Sequence, residues 1–414
     1  MISETKLLTA INGTIDPLSI TDYINAGGYT ALSKALHMKP EDIIEEIKKS
    51  GLRGRGGAGF PTWIKLQAVR NATSVKNKFI VCNADEGEPG TFKDKKLMEQ
   101  NPHQLIEGII IAALATNSNR GFIYVRGEYG ESINKLKTAI NQATQHAFLG
   151  QSISGSSFNF NLEVMPGAGS YLCGEEFTLL ESLEGKRGNP RIKPPFPAEK
   201  GLWQEPTLVN NVETLSNLPH IINNGSAFFA SMGTEKSKGT KLVCLSGDIV
   251  KPGVYEVEMG CTLNEIIIGL GGGLKNNEAV SAVLLGGAAG TFANASQLDV
   301  LLCYDKLLEQ NLTLGSGAII VFGSTVSLEK IIASILRFFK HESCGKCVPC
   351  RIGTYHLSRE WENSFGQTKE EKKRLLEVLT TKAKHIAATS LCPLGQSPVL
   401  PLASALRNVA DLLV

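Results

Sequence analysis

Apolar residues along the first half of the chain recur at helix spacing and strand spacing in turn. Residues 40–49 (PEDIIEEIKK) put Ile43, Ile44 and Ile47 on one helical face behind a proline suited to a first turn, and Ser50-Gly51 stops that helix. The glycine-dense run 51–61 (GLRGRGGAGFP) predicts a loop. Residues 78–82 (KFIVC) predict a short buried strand, 101–116 a helix, 122–126 (FIYVR) a second strand and 131–148 another helix. Strands alternating with helices argue for a parallel α/β sheet. Residues 185–206, rich in proline and glycine, predict irregular structure over a surface. From Thr240 short strands at 241–247, 253–257, 283–285 and 318–322 surround a helix-like 263–270, which suggests a small α+β unit. After Ser327 the pattern is helical: Leu328, Ile331, Ile332, Ile335 and Phe339 form one stripe, three further helical patterns follow, and a bundle is expected.

Composition narrows the class. At 414 residues the chain exceeds one typical core, and 42% hydrophobic with 20% charged residues is globular. A net charge of +2 with no basic run excludes a dedicated nucleic-acid binder. The longest apolar run, 105–116, contains Glu107 and is too short to span a bilayer, so no direct membrane insertion is expected. Residues 1–8 (MISETKLL) lack a basic stretch leading into an apolar one, so no secretory signal is expected. Glycine, 42 of 414 residues, exceeds the usual ~7% and implies places where backbone must stand without side chains. Nine cysteines, an odd number, favour metal or redox chemistry over a disulfide scaffold.

The strongest chemical signal is Cys344-Gly-Lys-Cys347-Val-Pro-Cys350 with a remote Cys392-Pro393. Three thiolates on one tight turn closed by a distant fourth is the run used for cubane iron–sulfur clusters. A structural zinc site is the rival, although it normally uses two separate Cys-x2-Cys pairs. Cys82, Cys173, Cys244, Cys261 and Cys303 stand alone in apolar surroundings and read as core. Gly54-Arg55-Gly56-Gly57-Ala58-Gly59 contains G-x-G-x-x-G, but a helix rather than a strand precedes it. It reads equally as a nest of backbone N–H groups for phosphate, with Arg55 and Lys65 supplying charge, or as a bare flexible loop. Asp85, Glu86 and Glu88 follow the first strand, where α/β folds bind ligands. Carboxylates there can hold ribose or flavin polar groups and would repel a 2′-phosphate, favouring NADH over NADPH; a solvated acidic turn is the plain alternative. Tyr171-Leu-Cys-Gly174-Glu175-Glu176 opens a helix, where acids also have a dipole explanation. Asn210, Asn211 and Thr214 sit in one polar run that equally suits a turn, and Lys193-Pro-Pro-Phe196 offers an ammonium and an aromatic face.

Taken in order, GLRGRGGAGFPT (51–62), CNADEGEPGTFKD (82–94), YLCGEE (171–176), SLEGKRGNPRIKPPFPA (182–198), PTLVNNVET (206–214) and HESCGKCVPCRIGT (341–354) closely resemble the NADH-binding flavoprotein subunit of respiratory complex I. The related diaphorase subunits of NAD-linked hydrogenases and formate dehydrogenases belong to the same family. The resemblance implies an N-terminal helical lead-in over 1–50, a Rossmann-like FMN- and NADH-binding α/β domain over 51–238, a ubiquitin-like (β-grasp) α+β domain over 239–325, and a helical bundle with one 4Fe–4S cluster over 326–414. It implies that Gly54, Arg55, Gly56 and Lys65 cradle the FMN phosphate region, and that Asn83, Asp85, Tyr171, Gly174, Glu175, Asn210, Asn211 and Thr214 line the flavin. Phe60, Glu88, Glu176, Lys193 and Phe196 would contact NADH, with Glu88 positioning the nicotinamide. Cys344, Cys347, Cys350 and Cys392 would hold the cluster.

The implied activity is NADH oxidation by hydride transfer to FMN, with single electrons passing through the 4Fe–4S cluster to further iron–sulfur subunits. The alternative is a diaphorase of a soluble, electron-bifurcating hydrogenase or of a formate dehydrogenase. Implied partners are a thioredoxin-like 2Fe–2S subunit and a larger iron–sulfur subunit, in the cytoplasm or on the cytoplasmic face of the inner membrane through the complex. The chain departs from the family pattern at Trp63, at Ala68 where an aromatic is usual, at Gly87 where serine is common, and at Pro393 after the last cysteine.

Overall fold

The computed structural model describes residues 2–72 and 77–413. The first sheet is parallel, with strands β1 (Phe79–Ala84), β2 (Arg120–Val125), β3 (Asn161–Pro166) and β4 (Thr207–Asn211) in the order β3-β2-β1-β4. All of β1 except Asn83 is buried, as a central parallel strand covered on both faces must be. In this sheet the strands that the apolar pattern did not predict are β3, an edge strand with only Leu162 buried, and β4, five residues ending in two amides; in the second sheet described below, the strand Thr291–Asn294 was not predicted either. The helix expected at 101–116 runs Pro102–Thr116, capped by Asn101, and only Leu114 along it escapes full burial. Such a helix lies inside the core rather than on it. The helix Gly130–Gln145 carries the chain from β2 to β3.

The N-terminal helices Ile20–Asn25, Thr30–Leu36 and Pro40–Ser50 share this core, and Glu107 ties two of them down. Its carboxylate accepts from the Tyr23 hydroxyl at 2.6 Å and from the N–H groups of Tyr29 and Leu32 at 3.0 and 2.9 Å. An acid that looks in the sequence like a flaw in an apolar helix is therefore a fastening. Glu256 does the same for residues 7–9, taking the N–H groups of Leu7, Leu8 and Thr9 at 2.9–3.0 Å.

The second sheet is mixed: β5 (Thr240–Gly247), β6 (Gly253–Glu258), β7 (Ala282–Leu285), β8 (Thr291–Asn294) and β9 (Ala318–Phe322), ordered β6-β5-β9-β7-β8. Only β5 and β9 are parallel. The expected helix at 263–270 is a wide π-type turn over Glu265–Leu270. The C-terminal bundle packs Leu328–Glu342, Val348–Glu362 and Lys369–Thr389 around the buried Trp361, whose indole N–H donates to the Glu329 carbonyl at 2.9 Å. Among the described residues no helix is long and apolar enough to cross a membrane.

Between the two sheets lies a buried ion network. Glu213, fully buried, accepts from Lys241 Nζ at 2.7 Å and from the Leu242 N–H at 2.9 Å on β5, and pairs with Lys93 Nζ at 3.0 Å. Lys93 pairs also with Asp94 at 2.7 Å. Burial draws the Lys241 ammonium down to about 8, while Glu213 opposes that fall. Removing one partner of a buried pair leaves the other charge stranded. Glu213→Ala should therefore cost about 3–5 kcal/mol of stability, read as a fall in the thermal unfolding midpoint of several degrees; an unchanged midpoint would contradict this role.

Candidate active site

Parallel sheets bind ligands beyond the carboxyl ends of their strands. Here a cavity of about 460 Å³ opens at the ends of β1 and β4. Asn83 and Asp85 line it from β1 and the residue after it, and Asn211 from the end of β4. The glycine loop supplies Gly56, Gly57 and Ala58, and the turn opening the helix Glu176–Leu183 supplies Tyr171, Gly174 and Glu175. The second sheet's loops close another side with Gly286, Ala289, Thr313, Gly315 and Ser316. The bundle contributes Pro393, Leu394 and Ser397. All three units meet at one cavity. At Gly56 a Cβ would stand 3.0 Å from the Asn211 Cβ, so the loop lies hard against β4.

The three acids after β1 have three different fates. Glu86 takes the N–H groups of Lys93, Asp94 and Lys95 at 2.9–3.0 Å and caps the helix Lys93–Gln100. Glu88 joins two units: Oε2 accepts from the Tyr171 hydroxyl at 2.6 Å, and Oε1 accepts from the Ala289 N–H at 3.0 Å. Burial raises its carboxyl, and those two hydrogen bonds oppose the rise. Gly287, at φ +78°, could carry no side chain here, since a Cβ would come within 2.5 Å of the Glu88 Cγ. Asp85 is different. It is 8% exposed, its Oδ2 meets no donor, and burial pushes its carboxyl up to about 7.

The remaining sequence candidates divide. Asn83 Nδ2 donates to the Gly174 carbonyl at 2.8 Å, fixing the turn against β1. Glu175 caps the helix Glu176–Leu183 through Phe177 and Thr178 N–H at 3.0 and 2.9 Å, and pairs with Lys193 at 2.9 Å. Lys193 also meets Glu176 at 2.6 Å, and Lys65 meets Glu176 at 3.2 Å, so these four form one chain of charges, of which Glu175 alone reaches the cavity lining. Burial notwithstanding, the two lysines hold the Glu176 carboxyl below its usual range. Thr214 Oγ accepts from the Arg55 N–H at 2.8 Å, tying the Gly54–Arg55 turn of the loop to the segment after β4, and Asn210 keeps an unpartnered Nδ2. Phe60 and Phe196 are exposed, at 45% and 52%. Trp63 lies half-buried under the Lys48 ammonium, 5.1 Å from the ring centre.

Two expectations change. The Arg55 side chain is wholly buried and donates to the Lys238 carbonyl at 2.6 Å, so its charge faces the Glu213 network rather than the glycine loop's cavity. Cys261 is only partly buried, while Cys82, Cys173, Cys244 and Cys303 are buried as expected. Lys93 and Asp94, which end the motif at 82–94 without a role assigned to them there, also line the cavity, and Asn211 Nδ2 donates to Asp94 at 2.7 Å. A lysine that should be solvated gives no sign in the sequence of being buried, although the glycines at 286–287 and 315–317 do mark the closing loops.

Cys350 and Cys392 are buried and Cys344 and Cys347 half-buried. Burial raises the Cys350 thiol, and Cys347 and Cys344 beside it add to that; burial likewise pushes Cys392 up to about 11, with Cys350 and Cys344 adding. Neighbouring thiols that raise one another's pKa are a ligand set suited to positive charge. Among the described residues no such group is gathered tightly enough for a single ion. Zinc needs its sulfurs ~2.3 Å from one centre. In a cubane each thiolate meets its own iron, and three closely spaced cysteines with a remote fourth supply the four thiolates that it takes. The cluster loop is held to the first unit by Arg187 donating to the Cys344 carbonyl at 3.1 Å and by Lys346 donating to that of Pro190 at 2.6 Å.

Residues 47–220 match the model of the Nuo51 FMN-binding domain, 241–321 that of the SLBB domain, and 330–413 that of the NADH-ubiquinone oxidoreductase-F iron–sulfur binding region. A NADH-quinone oxidoreductase subunit of Rhizobium meliloti (strain 1021) is 45% identical over 94% of this chain and 92% of its own. The chain belongs to the family of NADH-oxidising flavoproteins of complex I and NAD-linked hydrogenases. NADP-reducing hydrogenase subunit HndC of Solidesulfovibrio fructosivorans is 42% identical over 99% of this chain and 82% of its own. The structure also resembles a chain of the H2-reduced NAD+-reducing [NiFe]-hydrogenase, with TM-score 0.82 and 36% identity over 92% of this chain. This chain spans 63% of that hydrogenase chain.

As a member of the family the protein is a flavoprotein NADH dehydrogenase with FMN, NAD(H) and an iron–sulfur cluster as cofactors, and the family works with partner subunits. The cavity suits FMN. Its lining includes a buried hydroxyl without a partner, Ser316 Oγ, and a glycine loop that leaves backbone N–H groups uncovered by side chains.

The Asp85 and Glu86 carboxyls both sit near 7, well above an ordinary carboxyl near 4. At these two groups the folded flavin-free protein holds more protons than the unfolded chain between about pH 4 and 7, so their contribution to stability falls as pH rises through that window. Asp85→Asn should flatten part of that fall and make the flavin-free protein more stable than wild type above pH 7. Parallel melting curves for variant and wild type from pH 5 to 8 would contradict the assignment.

Proposed function

We propose that the cavity shared by the two sheets and the bundle seats FMN, that NADH enters over the Lys193–Phe196 segment, and that electrons leave past Pro393 to a cluster on Cys344, Cys347, Cys350 and Cys392. Bound FMN supplies exchange between a hydride and single electrons, and the cubane cluster takes electrons one at a time. The observation that carries this reading is that Pro393 and Leu394, which line the cavity, directly follow Cys392.

The chain's own residues do the positioning. Gly56 and its neighbours give backbone N–H groups to the phosphate end. Asn83, Asp85, Tyr171, Gly174, Glu175 and Asn211 line the ring and ribityl region, with Thr214 bracing the strand end and Asn210 keeping a free Nδ2 beside it. Phe60 and Phe196 keep exposed faces for stacking, and Lys193 and Glu176 lie together on the nucleotide side. Glu88 fixes Tyr171 and the 286–290 loop, which holds the entrance in shape and excludes water from it.

The partners this reading requires are a thioredoxin-like 2Fe–2S subunit and a larger iron–sulfur subunit of complex I type, with the protein at the cytoplasmic face of the membrane through that complex. A hydrogenase-type assembly is the second reading, favoured by the 42% identity to the HndC subunit over 99% of the chain. Copurification with proton-pump subunits or with a hydrogenase subunit separates them.

Cys392→Ser should remove the cluster's visible absorbance and cut electron delivery to partner subunits at least tenfold, while NADH still bleaches the flavin band. Retained cluster absorbance and normal delivery would overturn the ligand assignment. Glu88→Lys should sharply impair NADH oxidation while FMN stays bound, as seen in its absorbance after gel filtration; normal turnover would remove Glu88 from the nucleotide site.

A further inference from the structure

Oxidation of NADH to NAD+ yields two electrons and one proton. An iron–sulfur cluster carries the electrons away but not the proton, so each turnover leaves one proton in a cavity closed on several sides. Some group there must take it and pass it out. This question rests on the reading of the cavity just given.

The buried carboxylates of the described residues answer it by elimination. Glu86, Asp94, Glu107, Glu213 and Glu256, and also Glu88 and Glu175 in the cavity wall, each accept at least two hydrogen bonds or ion pairs. Asp85 Oδ2 accepts none and is fully enclosed in the cavity wall. The position follows from the sheet. Ala84 pairs with Val125 in parallel register, so Asp85 and Arg126 are the next residues off two neighbouring strands. Arg126 leads outward: Nη1 donates to the Glu86 carbonyl at 3.0 Å, and Nη2 to the Glu128 carboxylate at 2.9 Å. Glu128 is half exposed.

We propose that Asp85 Oδ2 takes up the proton released in the cavity and passes it to solvent beside Arg126 and Glu128. The charges acting on it come from several elements. Arg126 favours the carboxylate, Glu128 and the Glu342 carboxylate of the bundle oppose it, and burial opposes it most. The Cys173 thiol and the Tyr124 phenol also stand in its field, and burial raises both, so neither competes for the proton at neutral pH. In the flavin-free cavity this acid is held near 7, where it can both accept and release a proton, which is the condition for a relay.

The test uses the holoprotein under anaerobic conditions in weak buffer with a pH-indicating dye, one equivalent of NADH and excess ferricyanide. Two ferricyanide ions accept the two electrons, and one proton appears in solution per NADH. In wild type the proton should appear together with re-oxidation of the chromophores. In Asp85→Asn, assayed with excess FMN, its appearance should slow at least tenfold, and imidazole should restore the rate in Asp85→Ala. Asp85→Glu, which keeps the acid, should release protons faster than Asp85→Asn.

Proton release in Asp85→Asn at the wild-type rate with FMN bound would overturn the proposal. So would loss of FMN in every variant despite excess FMN, which would make Asp85 a holding residue only. A wild-type protein whose chromophores ignore NADH would instead overturn the reading of the cavity itself.

Discussion

The structure depends on buried carboxylates that take backbone N–H groups from elements distant in sequence. Glu107 draws the N-terminal helices onto the helix Pro102–Thr116, Glu256 holds residues 7–9 to β6, Glu213 joins the first sheet to β5, and Glu88 joins Tyr171 to the 286–290 loop. A buried anion is costly unless fully hydrogen-bonded, so each fastening tolerates only one arrangement of its partners. That rigidity is what a shared cavity requires. Three units supply its lining, and a shift of any one would change the distance between the nucleotide side and the cluster ligands.

Against that background the Asp85 carboxylate, with its bare Oδ2, stands out, as does the ion chain Lys65–Glu176–Lys193–Glu175 at the cavity's edge. One is buried and short of donors; the other is partly exposed and fully paired. The first suits proton handling in a site sealed from water, and the second suits a surface that an anionic dinucleotide can approach and rearrange. The Pro393–Leu394 turn also lines the cavity, and its neighbour Cys392 belongs to the thiol set.

Much of this was legible in the sequence. The spaced cysteines, the glycine loop and the acids after the first strand marked the right segments, because thiolate spacing and glycine density are local signals. The helix 40–50 and strand β9 followed from periodicity alone. What was not legible depends on partners far along the chain. β4 is five residues of mixed polarity and becomes a strand only by pairing with β1. Arg55, inside the glycine loop, looks like a phosphate ligand, yet its buried side chain donates to the Lys238 carbonyl and its charge is felt by Glu213. Lys93 reads as solvated until Asp94 and Glu213 are placed beside it. The 286–290 loop is tied to the site through the Glu88 contact, which no local pattern announces.

The central claim is that one path runs from NADH through the shared cavity to the four-cysteine set. Anaerobic purification followed by visible and electron paramagnetic resonance spectra, before and after a stoichiometric addition of NADH, tests it most directly. The account predicts flavin and iron–sulfur absorbance in the oxidised protein, bleaching of both by NADH, and the signal of a reduced 4Fe–4S cluster. Flavin that bleaches while the cluster stays oxidised, and that cluster then reduced only by dithionite, would contradict it.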